Sequence, residues 1–126
     1  PKFEASYGLL GTTFGGNHLA CAAAIAVLDV IKEENLIDNA EKMGAYIEDQ
    51  VKSFPHIKSI RRKGLMMGIE LDRDCAEVRK ELLYTHHIFT GNANDKSVLR
   101  VLPALNIQKE ETDLFINALK TVLEKI

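Results

Sequence analysis

The sequence lacks most of the features that would take it out of the class of ordinary folded domains. It has two cysteines, Cys21 inside an apolar run and Cys75 after a charged turn, and they form no C-x-x-C pattern. Both read as reduced thiols of a cytoplasmic protein. The longest apolar run, Leu19 to Leu28, is stopped by Asp29 and is too short to cross a bilayer, and no signal peptide precedes it. Lys and Arg number 16 against 18 Asp and Glu, a formal net charge of -2, with no basic run beyond Arg61-Arg62-Lys63. That balance asks for neither nucleic acid nor an anionic membrane. An initiator methionine is also missing: the chain opens Pro1-Lys2-Phe3 in what reads as a loop, so the expectation is a piece of a longer protein.

What is present is enough for one core. A chain of 126 residues at 46% hydrophobic content predicts a single domain. The alanine-rich run after Asn17 has high helix propensity, and the Asn17 side chain is a good N-cap. Being apolar all round, this first helix is expected to be buried in an interior or an interface. Leu36, Ala40, Met43, Ile47 and Val51 recur at helical spacing and predict a second, amphipathic helix closed before Pro55, continuous with the first or bent from it.

Leu65, Met67, Ile69 and Leu71 alternate with Met66, Gly68 and Glu70, the period of a strand, which is expected to pair with residues 57–61. Asp72 or Asp74 can cap a short helix to about Thr85 with Val78, Leu82 and Leu83 on one face. A brief strand is expected at Ile88 and Phe89, a turn across Gly91 to Lys96, and a strand from Val98 to Leu102 stopped by Pro103. Phe115, Leu119, Val122 and Ile126 share one face of a last helix opening after Gln108. The fold class that follows is α+β: a small, largely antiparallel sheet with helices packed on it, preceded by a long buried helix.

Two places carry chemistry. Gly11-Thr12-Thr13-Phe14-Gly15-Gly16-Asn17 sets hydroxyls and free amides at a helix start, where the dipole favours an anion. It matches neither a Walker A loop nor a dinucleotide fingerprint. The loop is either a plain structural turn or a seat for a phosphate. Arg100, in "VLRVLPALNI", is a charge in apolar company, and its guanidinium needs a carboxylate, supplied either by an internal Asp or Glu or by a bound acid. His18, His56, His86 and His87 have no metal-ligand spacing and are read as surface or capping residues, so no metal is expected.

"GTTFGGNHLACAAAIAVLDVI", "KGLMMGIEL" and "VLRVLPALNI" resemble, in that order, the C-terminal portion of class III pyridoxal-phosphate aminotransferases, and most of all the acetylornithine and succinylornithine aminotransferases of arginine biosynthesis. The resemblance implies a fold type I subunit in which residues 1–17 form an interface and cofactor-phosphate loop and residues 18–126 the small C-terminal domain. It implies a homodimer in which Thr13 reaches the cofactor phosphate of the partner subunit, Thr12 contacts substrate, and Arg100 holds a substrate carboxylate. It implies amino-acid and 2-oxo-acid substrates, the terminal amino group of an N-acylated ornithine passing to 2-oxoglutarate.

A family member specific for ornithine, 4-aminobutyrate or another ω-amino acid keeps the same fold. A non-catalytic domain that oligomerises or binds an acidic metabolite is the alternative from another class. One departure is His18, where many relatives carry proline after the asparagine. A larger one is that no lysine here lies in the alanine-lysine-glycine-leucine context of the family's cofactor-bonding lysine, so no catalytic residue is expected in this chain and by itself it should be inactive.

Overall fold

A computed structural model of the chain describes residues 7–8 and 11–126. About half of the interface loop expected at residues 1–17 therefore lies outside the described residues, and it can be followed continuously only from Gly11. The first helix, α1, runs His18–Glu33. Asn17 caps it as expected: its Oδ1 accepts from the Ala20 amide at 2.9 Å, and its Nδ2 donates back to the Phe14 carbonyl at 2.7 Å. Of the two burials expected for it, an interior one is not met within the described residues, and an interface one would need a surface from outside this chain. No residue of α1 is buried; Leu19 is 81% and Leu28 64% exposed. The helix packs within the chain against the next one only along part of its length, so an all-round apolar helix is left without cover.

The second helix, α2 (Leu36–Val51), is separate from α1, because Glu34 and Asn35 break the run and Asn35 adopts a left-handed φ of 52°, which asparagine tolerates better than most residues. Leu36, Ala40, Met43, Ile47 and Val51 turn inward together with Gly44. Strands β1 (Ile57–Lys63) and β2 (Met66–Leu71) form a hairpin closed by Lys63 opposite Met66, with Gly64 at a φ of 54° in the turn. Met67, Ile69 and Leu71 enter the core, as the alternation predicts.

The third helix, α3 (Ala76–Tyr84), has Cys75 rather than an aspartate at its N-cap position, and Asp74 just before it accepts at Oδ1 from the Ala76 amide at 2.9 Å; Asp72 instead meets His56 and Arg73. Val78 and Leu82 are fully buried and Leu83 is exposed, a narrower face than expected. The expected strand at Ile88 and Phe89 does not form, and Phe89 is 79% exposed. The strand lies further on, in the stretch read as a turn: β3 is Gly91–Asn92, paired antiparallel with β4 (Val98–Val101). The connection between them is tightened by Asp95, whose Oδ1 accepts from both the amide and the hydroxyl of Ser97.

The sheet order is β1-β2-β4-β3, antiparallel throughout. The last helix, α4 (Lys109–Leu123), begins where the Gln108 amide donates to Glu111 Oε2 at 2.8 Å. Its Phe115, Leu119 and Val122 meet α2, α3 and the inner face of the sheet, while Ile126 falls beyond the helix and is half-exposed. Arg62 ties β1 to α2, donating to Glu48 at 2.6 Å and Glu41 at 2.8 Å. The fold is thus the α+β domain that the periodicities predict, with one uncovered helix in front of it.

Candidate functional site

The glycine-threonine loop runs into α1 through a turn over residues 13–16. Gly16 has a φ of 74°, a conformation that disfavours any residue with a β-carbon. A β-carbon on Gly15 would collide with the methyl of Thr12, so a glycine there leaves room for that side chain. Thr12 and Thr13 are exposed, and among the described residues neither hydroxyl has a hydrogen-bond partner. At the head of α1 the Ala20 amide is taken by the Asn17 side chain and the Asn17 amide by the Phe14 carbonyl, and the His18 and Leu19 amides between them remain for a ligand. Two free hydroxyls and a helix N-terminus are a donor set for a phosphate, and nothing acidic belongs to the loop.

Arg100 sits on β4, opposite Gly68 of β2 and Gly91 of β3. Its neighbours Leu99 and Val101 go into the core, which leaves the guanidinium on the outer side. Of the two partners that the sequence left open, the internal carboxylate is not found: among the described residues Arg100 makes no ion pair, whereas Arg61 and Arg73 each have one and Arg62 has two. A cavity of about 360 Å³ opens beside it, lined by Ile88, Thr90, Gly91, Leu102 and Phe115 among others, with Arg100 and Glu111 as its charged groups. Thr90 is buried there; its carbonyl is held by Arg79 and its hydroxyl has no partner. A guanidinium without an ion pair among the described residues, beside a largely apolar cavity that Glu111 also lines, suits a carboxylate joined to a short carbon chain.

Thr12 and Thr13 line neither of the cavities that Arg100 lines, so this chain does not gather the three residues into one pocket. His18 and His87 are exposed as expected, whereas His56 and His86 are only partly exposed and His86 Nε2 is buried with no hydrogen-bond partner among the described residues. His56 Nδ1 lies 2.9 Å from Asp72, and among the described residues no group of three His, Cys, Asp or Glu side chains could hold a metal. Cys21 is exposed; Cys75 is buried, and burial pushes its thiol pKa up, which disfavours the reactive thiolate. No helix of the described residues is long and apolar enough to cross a membrane.

What the sequence reading missed is the pair of glycines flanking Arg100. The composition around Gly91 is that of a turn, and Gly68 falls within a strand alternation. The available signal was a glycine inside a strand pattern, which marks close approach of another group.

The family model for aminotransferase class-III matches residues 3–123. Among curated relatives, an acetylornithine aminotransferase of Methanocaldococcus jannaschii is 42% identical over 96% of this chain and 31% of its own length. An ornithine aminotransferase 2 of Staphylococcus aureus is 40% identical over 93% of the chain and 30% of its own length. Among solved structures, an ornithine aminotransferase of Toxoplasma gondii superposes with a TM-score of 0.80 at 32% identity, covering 96% of this chain and 30% of that one. A second T. gondii structure, at 35% identity and a TM-score of 0.77, covers 95% of this chain and 31% of its own, and has partial occupancy of PLP at the protein active site. The chain spans about a third of the length of the relatives it matches.

Proposed function

The chain belongs to the class III aminotransferase family, whose cofactor is pyridoxal phosphate, and on that premise we propose that it is the small C-terminal domain, with part of the interface loop, of a homodimeric aminotransferase. The proposed reaction moves the terminal amino group of an N-acylated ornithine to 2-oxoglutarate. The observation that carries this reading is the 42% identity to an acetylornithine aminotransferase across 96% of the chain. The similar match to the Staphylococcus aureus relative, 40% identical over 93% of the chain, favours a second reading, in which the amino donor is ornithine itself.

When bound, the cofactor supplies an electron sink for a substrate amine. The chain's own residues do the holding. Thr13 donates its hydroxyl hydrogen to the cofactor phosphate of the partner subunit, supported by the free amides at the head of α1 and by the turn that Gly16 permits. Thr12, next to it, faces the substrate. Arg100 offers two parallel N–H donors to the substrate α-carboxylate, and its lack of an ion pair among the described residues leaves it free to do so. The lysine that carries the proton belongs to the large domain. The uncovered apolar surface of α1 is the contact that this assembly would bury.

The test is to express the full reading frame that ends in this chain. It should contain an upstream domain with the cofactor-bonding lysine. Its rates with N-acetylornithine, N-succinylornithine, ornithine and 4-aminobutyrate, each with 2-oxoglutarate, should favour an acylated ornithine. A preference for ornithine selects the second reading, and a protein that transfers no amino group to 2-oxoglutarate refutes both.

A further inference from the structure

Residues directly opposite one another in an antiparallel ladder present their side chains on the same side of the sheet. Arg100 is opposite Gly68 on one neighbouring strand and Gly91 on the other, so both of its lateral neighbours lack a side chain. The two glycines are not equivalent. A β-carbon on Gly91 would lie 2.7 Å from Arg100 Nε, 3.1 Å from Nη2 and 3.3 Å from Cζ, whereas one on Gly68 would meet Val98 Cγ1 at 3.2 Å. The guanidinium therefore leans over Gly91 and occupies the space that any other residue would fill.

Backbone conformation gives no separate reason for glycine at this position. The left-handed glycines among the described residues are Gly8, Gly16 and Gly64, and Gly91 is not one of them. The short strand that carries it is also held in place: Arg79 donates from Nε and Nη2 to the carbonyl of the preceding residue, Thr90, at 3.4 and 3.3 Å. A small, fixed surface thus lies under a long, flexible cation. From this we infer that Gly91 is a positioning residue for Arg100, setting where its guanidinium meets a carboxylate. The inference rests on the proposed role of Arg100 as the carboxylate anchor.

The experiment uses the intact enzyme with cofactor and three variants: Gly91→Ala, Arg100→Ala and the double variant. In Gly91→Ala the new methyl opposes only the flexible end of Arg100, so the melting temperature should stay within about 2 °C of the wild type. The KM for 2-oxoglutarate and the dissociation constant for succinate, a dicarboxylate that does not react, should rise roughly tenfold with kcat little changed, the pattern of lost uniform binding. In the double variant Gly91→Ala should add nothing to Arg100→Ala. If Arg100→Ala alone changes neither constant, the anchor role of Arg100 has failed. If Arg100→Ala raises both but Gly91→Ala leaves them at wild-type values, destabilises the fold, or adds its full effect in the double variant, the positioning role is overturned while the anchor stands.

Discussion

Replacing Ile25 and Leu28 of α1 by serine in the intact protein should weaken its assembly while leaving the small domain folded. The two side chains are three residues apart and share one side of the helix, where they are 59% and 64% exposed. Fully burying a leucine or isoleucine contributes about 1.5–3 kcal/mol, so covering what remains exposed would contribute about 1–2 kcal/mol for each. Together that is about 3 kcal/mol per subunit, and because both subunits of a homodimer carry the substitutions the dimer should lose about 6 kcal/mol, or roughly ten-thousandfold in the dissociation constant. Because α1 buries no residue within the chain, the same substitutions take nothing from the core around Ile47, Leu99 and Leu119. Sedimentation velocity over a dilution series measures the association. Cofactor retention should fall with it, since Thr13 lies at the head of the same helix. Unchanged association in the double variant would refute the argument and leave α1 as a helix that faces solvent in the native protein.

Thr13→Val in the intact enzyme removes one hydrogen bond to a charged phosphate, worth about 1.5–3 kcal/mol, and should weaken pyridoxal phosphate binding about tenfold or more at unchanged melting temperature; equal affinity by fluorescence titration would count against the cofactor role. Arg100→Lys should lower kcat/KM and Arg100→Ala should lower it further, by about 2–5 kcal/mol if the pair is desolvated, whereas wild-type kinetics in Arg100→Ala would remove the residue from the site. Gly44→Ala gains about 1 kcal/mol of helix propensity but sets a β-carbon against the Gly64 carbonyl, 2.8 Å from its carbon, so the net result should be a loss of about 1–2 kcal/mol in urea unfolding; a stabilised variant would contradict that packing.

Acid should weaken the contact between α2 and α4, where Asp113 accepts from Lys109 and from the Tyr46 hydroxyl, both at 2.6 Å. Those two bonds, Lys109 first, hold the Asp113 carboxyl below its usual pKa. Its folded value lies below its unfolded one, so the stabilisation is present above about pH 4 and is lost as pH falls through the lower, folded value. Asp113→Asn should therefore destabilise at about pH 7 and much less at about pH 2, and equal destabilisation at both would rule the linkage out.

The elements of this fold could be read from the chain because each has a local cause. Leu36, Ala40, Met43 and Ile47 repeat at the helical period, Met67, Ile69 and Leu71 at the strand period, Asn17 caps α1, and Asp74 holds the first amide of α3, both through bonds to backbone only two or three residues away. The threonine loop and Arg100 also stood out locally, as polar groups beside apolar runs.

Tertiary structure decided the rest, because those features depend on partners distant in sequence. Whether the apolar α1 is covered depends on surfaces that the described residues do not supply. The strand at Gly91–Asn92 exists because β4 offers it a ladder, which overrides the turn composition of the segment, while the more apolar Ile88 and Phe89 have no such neighbour and stay out of the sheet. That register sets Arg100 between two glycines drawn from different strands, over one of them and without an internal carboxylate among the described residues. No local pattern encodes that pairing.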